Sequence, residues 1–428
     1  MTNIPVPLQG LLDRPVAIIG AGVSGRAAAA LLARYGAAVE FYDEKAPGAC
    51  SKFTRTEAVR HGLVVYSPGF PQNHAWLTVA RASGCTVIGE LDLGALAWPG
   101  RLIAITGTNG KTTLTEFLAF ALKRAGRNAF AVGNNGVAFC SVADEATSSA
   151  IAVCEVSSFQ SEDLRFFKPE SVIWTNLDED HLDRYKTMDH YFHAKWRLLP
   201  CLTRESLFVG ESVAEWSRRA GFDLPPFTRV IPNREIPGWS FPETSPFRLL
   251  PQRENFNLAL AWWESEGLPL QTLRTASAVF TAGKHRLGKT AEIGNIAYWN
   301  DSKATNFHAA LAALRQFSEP VIWIAGGRAK GGDIEAFADK AARHVKHAIL
   351  IGETAPILAG RLKAAGIPVS FQKTLPDAVI EASNVGLPGD QVLFSPGFAS
   401  FDMFQSYAQR GTVFENAVLG LKAKPRGR

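Results

Sequence analysis

Residues 102–116 constrain the fold of this chain more than any other segment, and they read LIAITGTNGKTTLTE. The apolar residues 102–105 predict a buried strand, and Lys111 begins a segment that predicts a helix. Between them, residues 107–110 predict a tight turn. The chain therefore contains at least one strand–turn–helix unit of the kind from which parallel α/β sheets are built.

Such a unit is also an anion-binding site. The backbone N–H groups of the turn point at phosphate oxygens, and the helix dipole favours negative charge. The Lys111 ammonium would reach the outer phosphates of a nucleotide, and the Thr112 hydroxyl would ligate Mg²⁺. Ile105 stands where the G-x-x-x-x-G-K-[ST] pattern has its first glycine. A glycine turn beside a surface lysine is therefore the alternative interpretation.

Length and composition limit the other possibilities. The 428 residues are too many for one hydrophobic core and predict two to four domains. The net charge of +5, without a long run of Lys or Arg, favours small polyanions such as nucleotides over nucleic acid. The five cysteines have no metal-ligand spacing and predict reduced thiols. We recognise neither a signal peptide nor an apolar run of the ~18 residues that a membrane span requires, and we expect a cytoplasmic protein.

A second glycine-rich turn lies near the N-terminus. Residues 16–19 predict a strand, residues 20–25 read GAGVSG, residues 26–35 predict a helix, and a second strand at 39–42 ends at Asp43. This is the sequence context of a dinucleotide fingerprint. One interpretation is NAD or FAD binding, and the other is a tight turn that needs glycine whatever it binds.

In the middle of the chain, an acid and a histidine follow predicted strands. Glu155 ends the strand at 151–154, and His181 lies in the loop after the strand at 171–174. Because open α/β sheets bind ligands at the carboxyl ends of their strands, we expect Glu155 and His181 to converge with Thr112 on one Mg²⁺. The alternatives are a solvated acid and a structural histidine.

The remainder of the chain divides into an irregular part and a regular part. Residues 201–250 are rich in proline and predict loops and short strands. From residue 296 onwards, strands and helices alternate again. Three polar or glycine-rich loops, at 300–306, 326–333 and 395–402, each follow a predicted strand. The predicted fold class is α/β, and the first and last segments show the alternation of strands and helices that is typical of Rossmann-like domains.

Taken together, these segments resemble the Mur ligase family, the ATP-dependent amide ligases of peptidoglycan synthesis, to which folylpolyglutamate synthase is related. The shared motifs are TGTNGKTT at 106–113, EVSSFQ at 155–160, NLDEDHLDRY at 176–185 and HR at 285–286. Two further stretches, NDSKATN at 300–306 and SPGFASFDMFQSYAQRG at 395–411, resemble the members that add D-glutamate to UDP-N-acetylmuramoyl-L-alanine.

The resemblance implies three domains: a Rossmann-like UDP-sugar-binding domain at 1–98, a P-loop-type central ATPase domain at 99–283, and a Rossmann-like amino-acid-binding domain at 284–428. It implies that the first glycine-rich turn holds the UDP of a sugar nucleotide rather than NAD. A carboxylate is a poor electrophile, so ATP would convert it to an acyl phosphate, and the domains would close before chemistry.

The resemblance also implies roles for individual residues. ATP would be bound by Gly107, Thr108, Asn109, Gly110, Lys111, Thr112, Thr113, Asn255, Arg286 and Asp301. The UDP-sugar would be bound by Val23, Ser24, Asp43, Ser67 and Asn134. The incoming amino acid would be bound by Lys303, Thr305, Lys330, Ser400, Phe401 and Tyr407. The implied catalytic residues are Lys111, His181 and Lys195. The implied metal ligands are Thr112, Glu155, His181 and Lys195, the last after carbamylation by CO₂.

The implied cofactors are ATP, two Mg²⁺ ions and the carbamylated Lys195, although a lysine at this position would otherwise be interpreted as a surface residue. The other implied substrates are UDP-N-acetylmuramoyl-L-alanine and D-glutamate. We expect a monomer that neither binds nucleic acid nor inserts into a membrane.

Three other functions stay open. The GAGVSG turn would suit a nicotinamide oxidoreductase, and folylpolyglutamate synthesis is a second alternative. The third is a catalytically silent binding protein, but this chain retains the residues that catalysis would need, namely Lys111, Glu155, His181, Lys195 and Lys303.

Overall fold

The computed structural model of the chain describes residues 4–143, 146–242, 245–248, 250 and 252–422. The chain forms two compact units. The first comprises Met1–Leu177, Asp189–Phe247 and Gln252–Phe280, and the second comprises Asp178–Met188, Arg248–Pro251 and Thr281–Arg428. Within the described ranges, no helix combines the length and the apolar character that a bilayer crossing requires.

Two parallel sheets organise the first unit. The smaller contains β1 (Val16–Ile19), β2 (Val39–Tyr42), β3 (Leu63–Tyr66) and β4 (Thr86–Gly89), in the order β2-β1-β3-β4. The larger contains β5 (Arg101–Thr106), β6 (Ala129–Gly133), β7 (Ile151–Glu155), β8 (Ser171–Trp174), β9 (Leu207–Gly210) and β10 (Thr228–Ile231). Its order is β10-β9-β8-β5-β7-β6, so β7 and β8 flank β5 and all three end at the same edge.

Helices connect these strands. They are α1 (Val23–Arg34), α2 (Arg55–Ala58), α3 (Ala75–Ala82), α4 (Glu90–Ala97), α5 (Lys111–Arg124), α6 (Ser158–Ser161), α8 (Met188–Trp196), α9 (Glu211–Arg219), α10 (Gln252–Ser265) and α11 (Leu270–Val279). Helix α7 (Leu182–Tyr185) lies in the second unit. Short 3-10 helices occur at Val6–Leu8, Phe139–Ser141, Leu199–Cys201 and Pro246–Arg248.

One mixed sheet organises the second unit. Its strands are β11 (Gly288–Ile293), β12 (Ile296–Asn300), β13 (Val321–Ala325), β14 (Val345–Leu350), β15 (Val369–Phe371) and β16 (Gln391–Phe394). The order is β11-β12-β16-β13-β14-β15, and the pairing is parallel except between β11 and β12. The helices are α12 (Phe307–Leu314), α13 (Ile334–Ala342), α14 (Ala355–Ala364), α15 (Leu375–Val385) and α16 (Tyr407–Lys422).

An aromatic cluster supports the larger sheet of the first unit. Phe117 of α5 lies with its ring centroid 4.5 Å from that of Phe247, 5.7 Å from that of Phe256 and 5.3 Å from that of Phe280. Burying each ring stabilises the fold by about 1.5–3 kcal/mol. The cluster anchors α5, and with it the turn that precedes this helix, to the body of the unit.

The GAGVSG turn fixes the packing of α1 on β1. The helix begins at Val23, three residues earlier than predicted. A Cβ on Gly25 would lie 1.8 Å from the carbonyl oxygen of Gly20, so only glycine allows the helix to approach the turn this closely. The glycines thus have a packing role independent of any ligand.

The predicted α/β class is confirmed, and the boundaries after residues 98 and 283 stay a prediction. The expectation of only loops and short strands over 201–250 is wrong, because α9 lies there. This helix is amphipathic, but it is mostly polar and buries only Val213 and Ser217, so the polar, proline-rich composition of the stretch favours loops. Helix α4 was also missed, because buried Glu90 and Asp92 interrupt its apolar pattern.

Candidate functional site

The turn at 107–110 joins β5 to α5. Gly110 stands at the helix N-cap with φ of 82°, in the left-handed region. A Cβ there would lie 2.3 Å from Nδ2 of Asn255, so conformation and space both require glycine. Asn255 is buried, and its Oδ1 has no hydrogen-bond partner in the described part of the chain. The predicted ATP residue Asn255 therefore packs directly against the turn.

Two lysine ammonium groups meet at one carbonyl of this turn. Lys111 Nζ donates to the carbonyl oxygens of Gly107 (2.9 Å) and Thr108 (2.8 Å). Lys195 Nζ donates to the same Gly107 oxygen at 2.7 Å and lies 4.8 Å from the ring centroid of Tyr191. Lys195 is 1% exposed, which excludes the surface-residue interpretation. The turn thus combines helix N–H groups with two nearby cations, an arrangement suited to phosphate.

Two residues at the end of β8 brace the turn. Asn176 opens the NLDEDHLDRY motif, but neither it nor Thr175 was predicted to have this role. Asn176 accepts from Thr108 N–H through its carbonyl oxygen (3.0 Å) and from Asn109 N–H through Oδ1 (2.8 Å). Thr175 Oγ1 donates to the Asn109 carbonyl at 2.7 Å. Only the strand order places these residues beside the turn, so motif reading alone could not assign the role.

Glu155 presents a carboxylate beside the turn at the end of β7. It is 1% exposed, and Oε1 accepts from Asn134 Nδ2 at 2.9 Å. Oε2 has no hydrogen-bond partner among the described residues. Thr112 and Thr113, also buried, occupy the first turn of α5. A buried carboxylate oxygen without a partner calls for an unseen ligand, and a hard cation satisfies it. Glu155 and Thr112 therefore fit Mg²⁺.

No group of three or more His, Cys, Asp and Glu side chains is arranged for metal binding in the described ranges. A magnesium ion held by Thr112 and Glu155 would complete its shell with water and phosphate oxygens. His181, the third predicted ligand, lies in the second unit, with φ of 56° and its Nε2 3.7 Å from Asp180 Oδ2. Its convergence with Thr112 and Glu155 stays a prediction.

The predicted UDP-sugar residues other than Asn134 surround the GAGVSG turn. The Asp43 carboxylate accepts from Ala21 N–H of the turn at 2.9 Å, and this and further backbone hydrogen bonds lower its pKa. Ser67 Oγ donates to a carbonyl of the turn at 3.3 Å. Val23 is 69% exposed and Ser24 half-buried at the start of α1. Together these residues form an open helix N-terminus at the carboxyl edge of the small sheet.

In the second unit, Lys330 lines a pocket open to solvent on one side, together with Thr305 and glycines of the 326–332 loop. Its Nζ donates to Asp180 Oδ1 at 2.8 Å, while Asp180 Oδ2 accepts from Asn306 Nδ2 at 3.1 Å. Burial alone would raise the pKa of Asp180, but the charges of Lys330 and His181 and the hydrogen bonds from Lys330 and Asn306 together hold this pKa at about 2. The pair places an oriented cation at the edge of a pocket that is partly open to solvent.

The other predicted amino-acid residues lie in the same unit, on loops except for Tyr407, which begins α16. Lys303 Nζ lies 3.9 Å from the ring centroid of Tyr407. Ser400 is buried, whereas Phe401 is 65% exposed. The structure thus brings Lys303 and Tyr407 into direct contact, and it does not bury Phe401 in the unit.

Arg286 lies on a turn between two residues with left-handed backbones, His285 (φ 65°) and Leu287 (φ 51°). Asp301 holds this turn, because its Oδ1 accepts from Leu287 N–H at 3.1 Å and its Oδ2 accepts from Ser395 Oγ at 2.8 Å. Burial raises the pKa of Asp301 to about 7. Both carboxylate oxygens of Asp301 are engaged within the protein, so the side chain supports the Arg286 turn.

Comparisons with known families cover both units. The Mur ligase middle domain matches residues 105–220, and the Mur ligase, glutamate ligase domain matches residues 285–398. A protein of Caldicellulosiruptor bescii named UDP-N-acetylmuramoylalanine--D-glutamate ligase is 32% identical, over 95% of this chain and 98% of its own length. A protein of Koribacter versatilis with the same name is 34% identical, over 94% of this chain and 96% of its own.

Solved structures share the fold. The crystal structure of UDP-N-acetylmuramate-alanine ligase from Thermotoga maritima matches with a TM-score of 0.61 and 17% identity, over 96% of this chain and 100% of that one. The family assignment comes from the sequence relatives and domain matches, and the structural likeness agrees with the three-domain α/β fold. This chain belongs to the Mur ligase family.

Proposed function

We propose that this protein is an ATP-dependent ligase that joins D-glutamate to UDP-N-acetylmuramoyl-L-alanine during the synthesis of peptidoglycan precursors. The observation that carries the proposal is the match, over nearly the full length of both chains, to relatives with this activity in their name. The phosphate turn with Lys111 and the pocket with Lys330 supply the chemistry that such a reaction requires.

The proposed reaction has two steps. The carboxylate of UDP-N-acetylmuramoyl-L-alanine attacks the γ-phosphorus of ATP, and ADP leaves. The glutamate amine then attacks the acyl carbon, so that a C–N bond forms, the C–O bond to phosphate breaks, and the amine loses a proton. The turn N–H groups and Lys111 hold the phosphates and offset the charge that develops during phosphoryl transfer.

We further propose that Thr112 and Glu155 hold a Mg²⁺ ion, with His181 as a further ligand. Lys195, carbamylated by CO₂, would hold a second ion. Bound magnesium would neutralise phosphate charge. Support comes from the partnerless Oε2 of Glu155 and from the burial of Lys195 beside the phosphate turn. Lys303, Thr305, Lys330, Ser400, Phe401 and Tyr407 are proposed to bind the amino acid, and Arg286 and Asn255 the nucleotide.

We also propose that the enzyme acts as a monomer in the cytoplasm. The five cysteines are free thiols, as expected in a reducing compartment where ATP is available. Light scattering at working concentration tests the oligomeric state, and fractionation of cells tests the compartment.

The function is tested by omitting substrates one at a time. Phosphate release by the purified protein should require ATP, UDP-N-acetylmuramoyl-L-alanine and D-glutamate together. Phosphate release that is independent of the sugar nucleotide would refute the proposal.

Lys195→Ala should inactivate the enzyme, and short carboxylic acids such as acetate should restore part of the activity. The added carboxylate would occupy the space vacated by the carbamate and supply its negative charge. Activity is measured with and without the acid, and Lys186→Ala, which removes an exposed lysine, is the matched control. Loss of activity without any rescue would argue against a carbamate at Lys195.

Lys330→Ala should raise the KM for glutamate by roughly 10- to 150-fold. A charge-assisted pair in a partly dry cleft contributes about 1.5–3 kcal/mol, and ~1.4 kcal/mol corresponds to a factor of ten. The KM for ATP should change much less. Lys340→Ala, an exposed lysine on α13, is the control. A glutamate KM within twofold of the parent value would show that Lys330 is only a structural partner of Asp180.

A further inference from the structure

Three loops of the second unit carry the proposed amino-acid residues. They follow β12, β16 and β13, which are neighbours in the sheet, and they carry Lys303, Ser400 and Lys330 respectively. Hydrogen bonds between strands fix where each loop starts but not the path that it takes. The relative positions of these three side chains therefore depend on contacts made by the loops themselves.

Arg410 of α16 makes such contacts with all three loops. Its Nε donates to Ser302 Oγ (3.1 Å) and its Nη2 to the Ser302 carbonyl (2.8 Å). Its Nη1 donates to the Phe398 carbonyl at 3.1 Å. A Cβ on Gly327 would lie 3.3 Å from the same Nη1. One planar guanidinium thus joins the residue before Lys303 to the loop of Ser400 and packs against the loop of Lys330.

Burial sets this arginine apart from a surface side chain. Arg410 is 1% exposed, and its hydrogen-bond partners in the described chain are one hydroxyl and two carbonyls, with no carboxylate among them. This desolvation lowers the pKa of the guanidinium to about 10. The nearby Asp402 and Asp301 carboxyl groups act in the opposite direction but offset only part of this effect. Burying a charge is costly, and a well-packed apolar side chain would often stabilise the fold more.

Ser302 links the same guanidinium to the start of α16. Its hydroxyl accepts from Arg410 and donates to the Tyr407 carbonyl at 2.8 Å. Tyr407 is the ring under the Lys303 ammonium. The arginine therefore acts on Lys303 from two directions, through the preceding residue and through the aromatic ring.

We propose that Arg410 is a positioning residue of the amino-acid site. Its guanidinium sets the relative geometry of the loops that carry Lys303, Lys330 and Ser400. The identity of the ligand rests on the proposed function, whereas the ordering of the loops does not.

Two variants separate geometry from charge. Arg410→Lys keeps the positive charge but loses the planar arrangement of three donor nitrogens, and Arg410→Met loses both the charge and the donors. The KM for D-glutamate should rise at least tenfold in the lysine variant and further in the methionine variant, while the KM for ATP changes less than threefold. Should Arg410→Met fail to fold, Ser302→Ala, which removes one acceptor, should still raise the glutamate KM.

A core variant controls for simple destabilisation. Leu362→Ala opens the apolar core on α14, a helix that carries none of the proposed amino-acid residues, and should lower the melting temperature without changing either KM. If the Arg410 variants behave like Leu362→Ala, with only a lower fraction of active enzyme, the proposal is wrong.

Hydrogen exchange provides a readout that needs no ligation activity. The Arg328 and Ala399 amides bond to each other's carbonyls, and the Gly397 amide bonds to the Ala304 carbonyl, so all three report on the loops. They should exchange faster in Arg410→Lys, with β12 and β13 unchanged. If the parent protein does not ligate glutamate, the proposed function fails, and hydrogen exchange alone then tests whether Arg410 orders the three loops. Unchanged exchange at the three amides would overturn the role of Arg410.

Discussion

Lys111→Ala is expected to lower the rate of ATP-dependent ligation by about 10²–10³-fold, the range seen when one preorganised charge-stabilising donor is lost. Lys111 Nζ is held by the Gly107 and Thr108 carbonyls at the first turn of α5, next to the N–H groups of the phosphate turn. Its charge would be closest to the outer phosphates, where negative charge shifts during phosphoryl transfer.

Binding of the sugar nucleotide should be nearly unchanged in Lys111→Ala, because its proposed residues belong to the small sheet around Asp43 and Ser67. Calorimetry with UDP-N-acetylmuramoyl-L-alanine and steady-state kinetics measure the two effects separately. Lys123→Ala, an exposed lysine in the last turn of the same helix, is the matched control. An equal loss of sugar-nucleotide affinity would contradict the assignment of ATP and sugar nucleotide to different sheets.

Glu155→Gln is expected to raise the Mg²⁺ concentration needed for half-maximal activity at least tenfold. The carboxylate is buried, Asn134 occupies only Oε1, and Oε2 is left for a cation. A neutral amide is a weaker ligand for a hard cation and has one oxygen instead of two. The substitution keeps the shape of the side chain, so the fold should be preserved.

A magnesium titration of the purified variant measures this effect. Glu264→Gln removes the same charge from an exposed position on α10 and should leave the titration unchanged. If Glu155→Gln shows the magnesium dependence of the parent enzyme, Glu155 is not a metal ligand.

Much of the fold is predictable because the central strands are short apolar runs that end at glycine or polar residues. Residues 102–105 and 171–174 are predicted as strands, and both are buried in the structure as parts of β5 and β8. Helices α4 and α9 are not predictable in this way. Buried acidic residues interrupt the apolar pattern of α4. Helix α9 is amphipathic, but it is mostly polar and lies in a proline-rich stretch, so the composition favours loops there.

The candidate site likewise contains features that are recognisable from the local sequence and features that are not. The turn at 107–110 and Glu155 are recognisable because their chemistry is local to a few residues. The brace from Asn176, the hydrogen bond from Asn134 to Glu155 and the guanidinium of Arg410 under three loops depend on which strands are neighbours. Lys195 shows the limit clearly, because only the structure reveals that its ammonium is buried against the phosphate turn.

The most direct test of the central claim is the mass of the product formed from UDP-N-acetylmuramoyl-L-alanine and ATP with each member of a panel of amino acids. We predict one product, heavier by one glutamyl residue, formed with D-glutamate and accompanied by one phosphate per molecule. L-Glutamate, L-lysine and diaminopimelate should give none, and neither should folate in place of the sugar nucleotide. Glutamylation of folate, or no product with D-glutamate, would contradict the account.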